Sequence, residues 1–359
     1  MVLEYRVRRL FFYQGFFSRS HLTLKSYFYP ESVDVTDIDV LGIRFSTSFN
    51  PEVTICECKS GESNGIVDRI LWLLGLSKHF AASNSLVVRK VIPAKIKHFA
   101  QEVGVVPVDY ARLAELEKQI EIPSNFSGSC DYEFYEPRIQ KYYQDIKDDP
   151  QLSKVYWFLR SRFWYTENST RMKQAITALE MLSKNPKSEP SKWLIYEATI
   201  LLSLSLVYLC REIFSFSESE RSEYIRNLLT TGVGSPEFSK RVLDATYGII
   251  IAMVKERSGE SEKIDYEKLQ IPPPDYASAL TDLATRMLQR PMTSIQVPRF
   301  LDFTCHEFLF KNKKMEPKDI ERLFPSETDM VAKLAKNVAK FVVDKKGIPE
   351  EYFSDLMAF

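Results

Sequence analysis

Strand-like and helix-like segments alternate through the first 118 residues, and then the strand signal stops. This change of pattern constrains the fold of the 359-residue chain more than any other feature. Residues 2–14 place Val2, Leu3, Val7, Leu10 and Phe11 at helical spacing, and Gly15 ends that helix. Residues 16–24, 34–45 and 53–59 read as strands, the last two joined by a turn rich in Ser, Thr, Asn and Pro. A polar loop at 60–64 and an apolar helix at 65–80 follow. Next come a strand at 85–89, a helix at 93–103, a strand at 105–108 and a helix at 110–118. Strands separated by helices imply an α/β unit, a mixed sheet flanked by helices. Residues 119–136 contain Pro, Gly and three Ser without a helical period and read as a linker. Residues 137–359 hold helical stretches such as 150–165, 167–184, 190–215, 218–230, 236–257, 275–289 and 327–344, with prolines at their boundaries. No repeat of fixed length is visible, so the expectation is an all-α bundle and not a solenoid.

The length favours two units, 1–118 and 137–359, and 45% hydrophobic residues supply two cores. Lys+Arg and Asp+Glu both number 48, so the net charge is zero. A protein that holds nucleic acid through bulk charge is usually basic, so a nucleic-acid site here would be a local patch. The five cysteines are odd in number, and neither they nor the four scattered histidines have zinc-site spacing. That usage reads as a reducing, cytoplasmic setting. The N-terminus, with Glu4 and no small-residue cleavage site, does not read as a signal peptide. The longest uncharged apolar run, Ala198 to Cys210, is shorter than the roughly 18 residues that span a bilayer and reads as a buried bundle helix, with no membrane partner.

The chemistry concentrates in Thr54-Ile55-Cys56-Glu57-Cys58-Lys59. Side chains alternate along a strand, so Glu57 and Lys59 share a face with Ile55, and Cys56 and Cys58 share the other. In the preceding strand Asp37 and Asp39 point one way, Ile38 and Val40 the other. If the two strands pair, two or three carboxylates and one ammonium meet at one edge. Such a cluster is costly without a cation, and Mg²⁺ accepts hard oxygen ligands of this kind. The metal would polarise a phosphoryl oxygen, and Lys59 beside the attacking water would offset developing charge.

Asp39 followed by Glu57-Cys58-Lys59 resembles the signature of the PD-(D/E)xK, or restriction-endonuclease-like, nucleases over roughly residues 1–110. The order of elements matches as well as the motif. Glu4 with Leu10, Phe11, Gly15 and Phe16 resembles the opening helix of archaeal junction resolvases and restriction-type relatives. The resemblance implies that Asp39 and Glu57 hold Mg²⁺, with Mn²⁺ as a substitute. It makes the backbone carbonyl of Cys58 a further ligand and Glu4 an accessory one, and it sets Lys59 on the attacking water. Ile38 stands where the family has proline, and Asp37 is a rival ligand. The helix after the motif offers Arg69 as a substrate contact, ahead of Asp68 and Lys78.

Tyr156, Trp157, Phe158, Phe163, Trp164 and Tyr165, interleaved with Arg160 and Arg162, read as bundle core with a charged edge, and His306 as a packed residue. The expectation is a Mg²⁺-dependent nuclease acting on DNA, in the setting of a bacterial anti-phage effector. Its helical part would bind a protein partner or a second copy. The alternatives are a non-catalytic scaffold that keeps the fold, and an RNA-cutting toxin.

Overall fold

The computed structural model describes residues 2–28, 31–59, 65–123, 130–184, 188–258, 272–311, 317–324 and 328–357. The chain opens with α1 (Leu3–Tyr13), β1 (Phe17–Phe28), β2 (Glu31–Phe45), β3 (Pro51–Lys59), α2 (Ile66–His79), β4 (Asn84–Arg89), α3 (Ala94–Glu102), β5 (Val105–Asp109) and α4 (Tyr110–Gln119). The strands form one five-stranded sheet in the order β1-β2-β3-β4-β5. The first three strands run antiparallel and β3, β4 and β5 run parallel, with α2 and α3 as crossovers, so the sheet is mixed as the pattern implies.

Each face of the sheet has its own cover. Ile55 and Val87 pack with Ile70, Leu73 and Leu76 of α2 on one side. Val40, Cys56, Cys58 and Val88 pack with Val7, Leu10 and Phe11 of α1 and Leu113 of α4 on the other. Arg6 of α1 forks onto Glu117 of α4 with bonds of 3.0 and 2.6 Å, tying those two helices together. Gly15, at φ +85°, turns the chain out of α1 in the left-handed region where glycine has no steric penalty.

Gly42 of β2 lets α1 approach the sheet. A Cβ there would lie 2.7 Å from Cδ2 of Phe11 and 3.2 Å from Cδ1 of Phe16, two buried rings with little freedom to shift. Gly42→Ala is therefore expected to destabilise the fold by about 1–3 kcal/mol, the usual cost of overpacking, measured by urea denaturation.

The rest of the described chain is mostly helical: α5 (Tyr132–Ile146), α6 (Pro150–Arg160), α7 (Asn168–Ser183), α8 (Glu189–Glu212), α9 (Glu218–Thr231), α10 (Pro236–Ser258), α11 (Ala277–Leu288), α12 (Pro291–Ser294), α13 (Val297–Lys311), α14 (Pro317–Leu323), α15 (Thr328–Lys346) and α16 (Ser354–Met357). Side-chain caps start several of them: Asp149 for α6, Ser188 for α8, and Ser217 with Glu220 as a capping box for α9. Helix α8 is long and apolar enough to cross a membrane, yet 94% of its apolar window is buried, with α5, α6, α7, α11 and α13 packed around it. It is the axis of the bundle.

Two differences from the sequence pattern stand out. Helix α5 begins at Tyr132, inside the stretch read as a linker, and contains Pro137. Tyr135, Ile139, Tyr142 and Ile146 are buried at helical spacing, and that burial outweighs the one hydrogen bond the proline removes. Residues 60–64 and 124–129, read as loop and linker, lie outside the described residues. The second difference is that one apolar cluster runs without a break from Ile55 and Leu73 at the sheet to Leu201, Phe300 and Val338 in the bundle. Phe45 of β2 meets Tyr208 of α8 with ring centroids 5.0 Å apart, and Phe17 of β1 stacks on Trp164 at 6.4 Å. The Arg299 guanidinium of α13 lies between the rings of Phe12 and Phe324 and donates to the Phe12 carbonyl at 2.8 Å.

Candidate active site

The β2–β3 ladder is regular from Phe45↔Pro51 to Val40↔Cys56 and goes no further. Beyond that point the Cys58 N–H donates to Oδ2 of Asp39 at 2.7 Å. A side chain thus takes the place of a ladder carbonyl, and the two strands part around a carboxylate held in orientation. Glu57, one residue before Cys58, is 2% exposed. Lys59 follows on the same face, its Nζ 3.3 Å from Oε1 of Glu57 and 3.9 Å from Oδ2 of Asp39. From α2, Nη1 of Arg69 stands 3.8 Å from the same Glu57 oxygen. Asp39, Glu57, Lys59 and Arg69 therefore converge where the strands fork, and Cys56 and Cys58 turn into the core under α1, as strand alternation requires.

Burial is the main influence on Glu57 and pushes its carboxyl above the ordinary range. The Asp39 charge adds to the rise, and Lys59 and Arg69 offset part of it. Oε1 of Glu57 is buried and accepts no hydrogen bond from the described residues, although the two cations stand close. A buried carboxylate oxygen whose nearest cation, Lys59, stands 3.3 Å away, close to a second carboxylate, is a donor set that suits a hard divalent cation. The Cys58 thiol is held well above its usual value by its hydrogen bond with Cys56 at 3.7 Å, then by burial, and further by the charges of Cys56, Asp39 and Glu4. It is a poor nucleophile and a poor thiolate ligand.

The other expected residues sit further out. Glu4 lies in the first turn of α1, near enough to Cys58 for its charge to act on the thiol. It does not complete a three-oxygen ligand set with Asp39 and Glu57. Asp37 is exposed and pairs across to Thr23 of β1, outside the contacts of Asp39 and Glu57. Asp68 and Lys78 are exposed on α2. The sequence reading passed over Arg89, a buried residue that lies beside Lys59 in the β3–β4 register at the carboxyl end of the parallel strands. Its signal was positional: a cation directly after the apolar run Leu86-Val87-Val88.

A second polar cluster lies deep between sheet and bundle. Arg19 of β1 bonds Oδ1 of Asp302 at 2.7 Å and Oε2 of Glu197 at 3.1 Å. His306 lies 2.9 Å from Glu197 through Nε2 and 3.2 Å from Asp302 through Nδ1. Tyr135 donates to Glu197 at 3.2 Å. Among the described residues, Glu197, Asp302 and His306 are the one set of three whose donor atoms meet metal-site spacing. The carboxylates there are already matched by Arg19 and by His306, whose pKa rises to about 9 against the cost of burial because both carboxylates favour the imidazolium. A charge-matched cluster tying β1 to α8 and α13 accounts for the arrangement without an ion. The reading of His306 as a packed residue thus gains specific partners.

No protein-family model matches this chain, and no similar protein was found among curated proteins or solved structures.

Proposed function

We propose that the chain is a Mg²⁺-dependent nuclease of the PD-(D/E)xK type that hydrolyses phosphodiester bonds in DNA. The observation that carries the reading is the fork between β2 and β3, where Asp39 and buried Glu57 face each other and Lys59 lies within 4 Å of both. Asp39 and Glu57 would hold the cation, with the Cys58 carbonyl as a further ligand and Glu4 acting from the edge. When bound, the metal supplies Lewis-acid polarisation of the phosphoryl oxygen and a more acidic water. The Cys58 N–H fixes the rotamer of Asp39, so that ligand is set before substrate arrives. The Lys59 ammonium, shared between two carboxylates, orients the attacking water and offsets charge developing on the phosphate. Arg69, half exposed beside Glu57, binds a phosphate of the incoming strand.

The helical part carries the control of this centre in the same proposal. Helix α10 leaves Phe238, Val242, Ile249 and Met253 exposed, a stripe suited to a protein partner or a second copy. A neutral nuclease whose cutting is enhanced when such a partner concentrates it on DNA fits an anti-phage effector. The experiment is cleavage of plasmid, single-stranded DNA and RNA with Mg²⁺ or Mn²⁺, comparing wild type with Asp39→Asn. DNA cutting by the wild type that disappears with chelator and in the variant is the expected result. Equal cutting by both proteins, or cutting of RNA alone, would be incompatible with the proposal.

A further inference from the structure

A groove opens beside the fork, between the far end of the β1–β2 pair, helix α2 and the short 3₁₀ turn Arg162–Tyr165 that follows α6. Its volume is about 850 Å³. Trp72 and Tyr165 supply aromatic surface, Val35 supplies an exposed apolar wall, and Lys25 and Arg162 supply its cationic groups, with the His79 ring beside them. A second hollow of about 430 Å³ continues past Arg162 to Lys154, Trp157 and Phe158. Among the described residues lining the two hollows none is a carboxylate. In a chain with equal numbers of acidic and basic residues, this is a local cationic lining of the kind a nucleic-acid site needs, with Asp34 at its edge beside Lys25. Lys25 is held in place, its Nζ 3.7 Å from the centre of the Trp157 ring and 3.0 Å from Asp34.

The groove lies close to the catalytic fork. Trp72 stands one helical turn after Arg69, whose guanidinium carbon lies 5.8 Å from its ring centre. Thr36, on the groove wall, precedes Asp39 by three strand residues, or roughly 10 Å. A strand whose phosphate sits at Asp39, Glu57 and Arg69 therefore runs its next bases past Trp72 towards Tyr165. The volume is in the range of small-ligand pockets and admits a few unpaired bases. Aromatic faces with interleaved cations bind unpaired bases by stacking and their phosphates by charge, without reading sequence.

We infer that this groove is a base-stacking subsite for an unpaired segment of the strand being cut, making the favoured substrate DNA that is single-stranded or frayed next to the scissile bond. The inference rests on the nuclease reading of the fork. Phe158, Trp157 and Tyr165 then have a role at the groove in addition to packing, and the helical part contributes directly to substrate choice.

The test uses the full-length chain carrying Lys59→Ala, so that binding is read without cutting. The probes are a single-stranded oligodeoxynucleotide containing 2-aminopurine and the corresponding duplex. Preference for the single strand is expected, with fluorescence quenching as a base stacks. Adding Trp72→Ala or Tyr165→Ala is expected to weaken single-strand binding about tenfold each, with duplex binding unchanged. Trp72→Phe, which keeps a ring and the packing against α2, is expected to retain most of the affinity and the wild-type melting temperature. Equal binding of both probes, or single-strand affinity indifferent to Trp72→Ala and Tyr165→Ala, would overturn the subsite. Because binding is measured on a non-cutting protein, a failure of catalysis overturns the nuclease reading and is distinguishable from a failure of the groove.

Discussion

Lys59→Ala is expected to lower Mg²⁺-supported cleavage by on the order of 10²–10³-fold while the protein stays folded and still binds metal. The residue is suited to a catalytic role and carries little of the fold. Its side chain is 35% exposed, so its ion pairs with Glu57 and Asp39 are partly screened, and their loss should cost about 1–3 kcal/mol of stability because Glu57 itself is buried. The two carboxylates that would hold the cation remain in the variant, and Arg69 still faces Glu57. The variant therefore separates two roles that usually fail together. A Mn²⁺-dependent rise in melting temperature, which reports ligand binding to the folded state, should persist in Lys59→Ala and vanish in Glu57→Ala. Lys59→Arg is not expected to restore the rate. The planar guanidinium is wider than an ammonium and cannot point one compact charge between Asp39 and Glu57. Single-turnover rates at saturating metal are the measurement. A Lys59→Ala protein that cuts at the wild-type rate removes Lys59 from the chemistry and leaves the fork as a scaffold.

The parts of this site that could be read in the sequence are those set by local geometry. Six consecutive residues, Thr54 to Lys59, fix their own faces because a strand has a period of two, and the split between Glu57 and Cys58 follows at once. The mixed sheet follows from strands that are first adjacent and then separated by helices. The fork itself was not legible. It depends on where the β2–β3 ladder stops, and Asp39 reaches the Cys58 N–H across 19 positions of sequence. Glu4 illustrates the same limit, since its distance from the carboxylates depends on how α1 crosses the sheet, and Gly42 with Phe11 sets that crossing. The linker reading of Tyr132–Glu136 gave local Pro and Ser signals more weight than the buried tyrosine spacing that continues to Ile146. Arg19, Glu197, Asp302 and His306 lay furthest beyond reach. Arg19 and Asp302 are 283 positions apart, and no spacing rule connects them.

That cluster sets the other large effect. Arg19→Met is expected to destabilise the whole protein by about 3–5 kcal/mol, the cost of leaving buried charges without their partner. Arg19 and Asp302 are 2% exposed and Glu197 is 6% exposed, so water cannot replace the guanidinium. The same cluster gives stability a pH window. His306 titrates near 9 in the fold against 6.5 in the open chain, so its protonated form contributes fully below about pH 6.5, and that contribution is lost as the pH rises through 9. A shift of that size corresponds to on the order of 3 kcal/mol. Burial raises the Glu197 carboxyl, but Arg19 and His306 more than offset it and hold its pKa at about 2; the carboxyl of Asp302 is depressed too. Those contributions are present above the normal carboxylate range and are lost as the pH falls towards 2. Stability should therefore be greatest between about pH 5 and 7, falling on both sides. His306→Gln should flatten the alkaline limb and also move the acid limb to higher pH, because His306 helps to hold both carboxylates down. Arg19→Met should move the acid limb to higher pH, because its two carboxylates would hold protons more tightly without the guanidinium. Urea unfolding across the pH range measures both limbs, and an alkaline limb unchanged by His306→Gln would show that His306 is not the group that titrates. Because β1 carries Arg19 while α8 and α13 carry its partners, loss of the cluster should loosen the sheet against the bundle, and groove and fork should lose their alignment before the sheet itself unfolds.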